Sequence, residues 1–321
     1  MAETILNAAN CLTTGNTGLF PCAISPSIYK RFFMIPKGSV IPATELADNA
    51  TLLAYIAAQM KLDNSGARWH MSGILSNLND LTEAVKTENR DGQIYITQTP
   101  PYNFEWTMTI QFAQFAKWKQ YQFSQSFYDV LYVDDAGNLI GRQAVDDTNA
   151  ATIGGIPLTQ FYVGDQKQAT TDTLVTYKFR HNIEQNVHLN AEMAMIQAGI
   201  VPSDYQNLLI DTEIVQGVTT TTSTHIYVSA YFDGIGARKS VGVMYGTTLA
   251  DPDAWIITDN GSPVTPSAVA YDATNDQWNI TVSAITAAHT VKVKFAPPSV
   301  MTITPFFLDI ISETAYTYTS P

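Results

Sequence analysis

Eleven consecutive residues, Tyr102 to Phe112, alternate apolar and polar side chains without a break. Tyr102, Phe104, Trp106, Met108, Ile110 and Phe112 take one side of the alternation. Asn103, Glu105, Thr107, Thr109 and Gln111 take the other. A period of two puts the two sets on opposite faces of a strand, so the run predicts one long half-buried strand with a polar open face. A long strand with an unpaired edge is an aggregation hazard, so a chain that carries one must cover it. Gln93–Gln98 is the expected partner, turned by Thr99-Pro100-Pro101.

The rest of the chain reads mainly as β with one or two helices. Residues 1–27 are irregular: Thr13-Thr14-Gly15-Asn16-Thr17-Gly18 is turn chemistry, and Pro21 and Pro26 punctuate the stretch after it. This segment reads as an extended arm. Ile28–Ile35 is an expected strand. A helix over 49–61, capped by Asp48 or Asn49, presents Leu52, Leu53, Ile56 and Met60 on one stripe. A short helix over 113–122 and a second over roughly 187–197 are further expectations. Phe127–Val133 and Leu139–Ala144 flank Asp134-Asp135-Ala136-Gly137-Asn138, a hairpin in which Gly137 supplies a positive φ. Ile156–Val163 and Thr173–Phe179 form another expected pair. Short connections without regular strand–helix alternation point to an antiparallel β-sandwich or barrel over 28–217 with a flanking helix.

The run Thr219 to Thr222 is a candidate boundary. Beyond it, His225–Phe232, Ser240–Tyr245, Ala254–Thr258, Ala268–Tyr271, Trp278–Ala284 and Thr290–Phe295 recur as short strands. That spacing predicts a C-terminal immunoglobulin-like β-sandwich within 218–321, without the cysteine pair of antibody domains. Met301–Ile310 and Thr314–Thr319 are strand candidates that complete this domain or return to the first.

Charged residues make up only 14% of the 321-residue chain, against roughly 25% in an average soluble domain, and aromatic residues reach 11%. Thr, Asn, Gln and Tyr take the place of ions. Such groups cost less to desolvate than charges, which suits a surface covered by neighbours; a polar extracellular β-protein fits the same composition. The net charge is −12, and both sides of residue 217 are acidic. That balance argues against gripping nucleic acid by phosphate neutralisation, though not against letting it slide past. Cys11 and Cys22 form no disulfide framework, and two unpaired thiols in a reducing cytoplasm are the expectation. The N-terminus lacks a basic region followed by a continuous apolar stretch, so neither signal peptide nor membrane span is expected.

Motifs for chemistry are missing from the sequence: there is no GxSxG elbow, phosphate-cradling glycine loop or HExxH pair. His181 with Glu184 and His188 with Glu192 have helical spacing, but a metal site there needs further ligands, and hydrogen-bonded histidines are the expected reading. Asp134-Asp135, Asp146-Asp147 and Asp251-Pro252-Asp253 are paired carboxylates in turn-like sequence, where aspartate favours local backbone hydrogen bonds. No catalytic residue and no cofactor is expected. Trp118, between Lys117 and Lys119, is the expected contact residue for a partner subunit, with Asp134 and Asp135 as further contact candidates.

The order of pieces resembles the structural proteins of tailed bacteriophages, in particular tail tube subunits. The resemblance rests on Tyr29–Gly38, the helix at 49–61 and the hairpin Phe127–Ala144. It extends to Gly155-Ile156-Pro157-Leu158 with Phe161-Tyr162-Val163-Gly164, and to the sandwich near 224–297. It implies a homo-oligomer of stacked rings in a virion, synthesised in the host cytoplasm, with other virion proteins as neighbours and no membrane. It also implies an acidic lumen for DNA passage and a long hairpin and arms that lock successive rings. The residues after Phe295–Pro297 depart from the pattern, because an appended domain usually ends the chain. Two other readings stand beside it: a capsid protein (a major shell or head decoration subunit) and a carbohydrate-binding adhesin using exposed Trp and Tyr.

Overall fold

The computed structural model describes residues 6–7, 28–62, 64, 66–91, 93–98, 100–110, 112–123, 126–167, 175–184, 192–201, 210–232, 239–297, 302–303, 306–307, 310–312 and 314–321. Among the described residues, strand accounts for 50% and helix for 13%, so the protein is mainly β. It forms two compact units. The first comprises Met1–Met60 and Gly66–Leu208, the second Leu209–Pro321 together with Lys61–Ser65.

In chain order the first unit begins with β1 (Leu6–Asn7), β2 (Tyr29–Pro36), α1 (Asn49–Met60), β3 (His70–Met71) and β4 (Leu75–Asp80). It continues with β5 (Lys86–Arg90), β6 (Gln93–Gln98), β7 (Asn103–Met108), α2 (Phe112–Gln120) and β8 (Tyr128–Asp134). It closes with β9 (Leu139–Val145), β10 (Ala151–Gly154), β11 (Ile156–Lys167), β12 (Thr176–Ile183) and β13 (Met193–Ile196). One curled sheet runs β1-β13-β9-β8-β11-β12-β7-β4, with β10 on β9, and β2 pairing both β8 and β3. Every pairing in it is antiparallel.

β2 is buried on both faces because it is sandwiched. Phe32 and Met34 join an aromatic core with Trp106, Trp118, Tyr132, Phe161 and Phe179. On the other side, the Phe33 ring lies 5.8 Å from Trp69, which in turn stands edge-on to Tyr55 of α1 at 5.8 Å. Leu52, Ile56 and Met60, at fourfold spacing, are the buried stripe of that helix. Asp48 starts it as expected, its carboxylate accepting the Thr51 N–H at 2.8 Å.

The expected strand over Tyr102–Phe112 is shorter than its alternation. β7 stops at Met108, and Phe112 already opens α2. Gln93–Gln98 is a strand but does not pair with β7, whose neighbours are β12 and β4. β6 pairs β5 instead. The expected helix over 187–197 is also corrected where it is described, since Met193–Ile196 is a strand paired with Leu139–Arg142. Its apolar residues complete the sheet, and residues 187–191 lie outside the described ones. The arm at 1–27 is described only at β1, so Cys11 and Cys22 lie outside too.

The second unit contains β14 (Ile210–Gln216), β15 (His225–Phe232), β16 (Lys239–Ser240), α3 (Gly242–Tyr245), β17 (Trp255–Asp259) and β18 (Ser262–Val264). Then come β19 (Ala268–Asp272), β20 (Gln277–Thr281), β21 (Thr290–Phe295), β22 (Thr302–Ile303), β23 (Phe306–Phe307), β24 (Ile310–Ile311) and β25 (Tyr316–Thr319). Two sheets, β19-β20-β15-β14-β24 and β18-β17-β21-β25, supply a shared core. Trp278 of the first sheet meets Trp255 of the second at 5.4 Å, and Phe295 packs 4.8 Å from Trp255. Both indole N–H groups are satisfied by backbone, Trp278 by Gly246 O at 2.9 Å and Trp255 by Leu249 O at 2.8 Å. The Thr219–Thr222 run is not a linker here. It lies in the connection between β14 and β15, which pair with each other. Ser240–Tyr245, expected as a strand, is mostly the short helix α3. The C-terminal strands complete this unit, with β25 on β21 and β24 beside β14 in a parallel pair.

Candidate assembly surface

β5 and β6 pair with each other and with no other described strand. Asp91-Gly92 joins them, and Asp91 adopts φ 52°. A two-residue Asp-Gly connection with positive φ matches the twist of a β-ribbon, which makes it a strong short-range hairpin signal. The register sets Thr87 opposite Ile96 and Asn89 opposite Ile94, so these four share one face. Glu88 opposite Tyr95 lies on the other. The ribbon is therefore amphipathic. Its apolar face is uncovered: Ile94 is 73% exposed and Ile96 68%. Val85 and Leu78, on the neighbouring chain segments, are exposed as well. A lone two-stranded ribbon is marginal in water, and burying an isoleucine side chain fully contributes about 1.5–3 kcal/mol. The ribbon gains most by lying against another surface.

β4 ends the main sheet, so one side of it has no strand neighbour among the described residues. Its ladder to β7 is irregular between Ser76 and Asn79, where Asn77 takes φ 53°. Such a bulge twists an edge away from regular pairing. The outward face of β7 and β12 is polar but nearly balanced in charge. Glu105 accepts from Lys178 Nζ and Arg180 Nη2, both at 3.0 Å, and these cations hold its carboxyl below the usual carboxylate range.

The contact residues expected from sequence fall elsewhere, and their roles differ. Trp118 is wholly buried, its ring edge-on to Phe32 at 5.4 Å and Phe161 at 5.7 Å. The amphipathic turn of α2 points it into the core, so it offers a partner no surface in this unit. Lys119 stays outside: its Nζ donates to Val163 O at 2.7 Å and lies 5.8 Å from the Tyr162 ring. Lys117 lies 5.9 Å from the Tyr121 ring. Asp134 is buried as the organiser of its turn, accepting from Ala136 N, Asn138 N and Asn138 Nδ2 at 2.8–3.0 Å. Gly137 has φ +79°, as its place in the hairpin requires, and a Cβ there would stand 2.4 Å from Ile200 O. Asp135 is exposed, with its N–H donating to Ile28 O.

The other carboxylate pairs also serve turns. Asp146 accepts from Ala43 N, Thr148 and Ala150 N, and these bonds, the Thr148 hydroxyl foremost, pull its pKa down to about 2. Asp251 accepts the Asp253 N–H. Among the described residues no group of three or more His, Cys, Asp or Glu side chains is placed to hold a metal ion. No described helix is long and apolar enough to cross a membrane. In the second unit, Asp211–Ile214 and Thr314–Thr317 line a cleft of about 500 Å³.

His181 belongs to no helix. It sits on β12 with Tyr177, Phe179 and Ile183 on the buried side, an alternation legible in the sequence; His188 lies outside the described residues. Tyr132 Oη is 3.0 Å from its Nδ1. Burial pushes its pKa down to about 3, so it is neutral at physiological pH. Burial also raises Tyr132 well above its ordinary value.

No protein-family model matches the chain, and no curated protein matches its sequence.

Proposed function

We propose that this chain is a non-enzymatic structural subunit that assembles with copies of itself, and that its setting is a phage virion, as stacked rings of a tail tube. The observation that carries the reading is the ribbon β5–β6, whose isoleucine face has nothing over it. Side chains of that kind, presented on a ribbon, are suited to a groove on a neighbouring subunit, as in strand- and ribbon-mediated association. The open side of β4 supports the same reading, since closed rings cover sheet edges. Low charge supports it too, because covered polar surface is cheaper to desolvate than ionic surface. On this reading the net charge of −12 disfavours adhesion of DNA phosphates passing through the tube. Contact residues are Ile94 and Ile96 before Lys117, Lys119 or Asp135. A shell or head decoration subunit uses the same features, and imaging separates the two.

The second-unit cleft favours a different reading, a carbohydrate-binding adhesin, because Tyr316, Thr hydroxyls and the Asp211 and Glu213 carboxylates lie together there. Two measurements on the purified full chain discriminate. Light scattering across a concentration series is expected to show growth of large species, with no binding on a glycan array. A monomer at every concentration that binds glycans contradicts the assembly reading and supports the adhesin.

A further inference from the structure

The first unit's core holds a histidine with no carboxylate to meet it. His181 is fully buried, and rings contributed by four strands enclose it: Phe32 of β2 at 4.6 Å, Trp106 of β7 at 4.8 Å, Phe161 of β11 at 5.2 Å and Tyr132 of β8 at 5.9 Å. Its only polar partner among the described residues is the Tyr132 hydroxyl on Nδ1; Nε2 has none.

The titratable groups around it do not change this. β8 presents Tyr132, and β2 adds Tyr29, stacked on Tyr132 at 4.5 Å. β7 and β11 present aromatic rings, and α2 closes the far side with Trp118 against Phe32 and Phe161. The neighbouring charges on β12 belong to the opposite face, where Arg180 is held by Glu105. Burial, and after it the charge of Asp134, drives Tyr29 up to about 12. The Asp134 oxygens themselves are committed to the hairpin turn.

A neutral imidazole suits this place as the tautomer that carries its proton on Nδ1, which donates to the Tyr132 hydroxyl and leaves only the Nε2 lone pair without a partner. An imidazolium does not: both ring nitrogens then donate, Tyr132 can accept only one proton, and the second points at rings in a dry core. We propose that His181 is an acid-sensitive trigger of the first unit, where uptake of one solvent proton is incompatible with the closed aromatic core and mild acid therefore opens it. Linkage sets the sign. The unfolded chain binds this proton near pH 6.5 and the folded one only near about 3. Stability from this residue is therefore complete above about 6.5 and declines as pH falls towards about 3. This holds whether or not the chain assembles as proposed above.

The test uses the full chain at low concentration. Urea unfolding of the first unit, followed through the pH range about 7 to about 4, is compared for wild type and His181→Gln. The wild-type unfolding constant is expected to rise about tenfold more per pH unit below about 6.5 than that of the variant, whatever their stabilities at neutral pH. Parallel pH dependences overturn the proposal. Deuterium exchange at the imidazole C2 positions of folded wild type, read by mass spectrometry, decides independently and covers a variant that fails to fold. An exchange profile for His181 without a midpoint between about pH 5 and 7 supports the trigger, and one with a midpoint near 6.5 overturns it.

Discussion

Asp134 and Trp118 both read as surface contacts in the sequence, and both are interior. Asp134 accepts two backbone N–H groups and the Asn138 amide, so Asp134→Ala leaves the turn's donors without their acceptor. A loss of about 1–3 kcal/mol is expected in chemical denaturation. Trp118→Ala removes a buried indole ringed by Phe32, Phe161 and Phe179 and is expected to cost about 3–5 kcal/mol of first-unit stability. A variant that assembles poorly yet melts like wild type would place Trp118 at a contact instead. Acid separates two further residues. Asp146, held near about 2 by its hydrogen bonds, contributes stability above the ordinary carboxylate range and loses it as pH falls towards about 2. Asp146→Asn is therefore expected to flatten the stability curve only below about pH 4, so its window meets that of His181 only at the acid end, between about pH 4 and 3. Charge and context explain why these roles are hard to read: an aspartate in a turn and a tryptophan between lysines look alike in sequence whether they point in or out.

At the scale of elements, the ribbon β5–β6 carries the sharpest prediction. Replacing Ile94 and Ile96 together by lysine puts two ions on the uncovered face and is expected to abolish large assemblies. The melting temperature of the monomer should stay within the small range typical of exposed sites, because neither side chain packs in the core. Differential scanning calorimetry beside light scattering checks both halves; a large drop in melting temperature would mean the face is already covered within the subunit. The sequence reading places a strand at β6, but it passes over the Asp91-Gly92 hairpin signal before it, and the proline-rich segment after it points to the wrong partner strand. Periodicity names strands and faces but not neighbours, and Pro100-Pro101 separates β6 from β7 rather than joining them. The hairpin Tyr128–Val145 is legible because Gly137 sits at a position that requires positive φ. Alternation also continues past the end of β7, since Phe112 and Phe115 serve a helix as readily as a strand.

Across the whole molecule, a mainly β chain is the most accessible conclusion from sequence, because strand patterning and turn residues are local. Which strand pairs which depends on long-range contacts, and so does the division between units. β14 belongs to the second unit although the threonine run after it suggests a boundary. Self-assembly is a property of surfaces left uncovered, and on this account the ribbon face and the β4 edge are those surfaces. Each isoleucine contributes too little alone, and a stable interface needs roughly 1,200–2,000 Å² of buried surface, so several contacts must combine around a closed ring. Electron microscopy of the purified full chain, concentrated until light scattering rises, tests this most directly. Rings of uniform diameter that stack into tubes are expected; particles of single-subunit size at every concentration would rule out self-assembly of the chain.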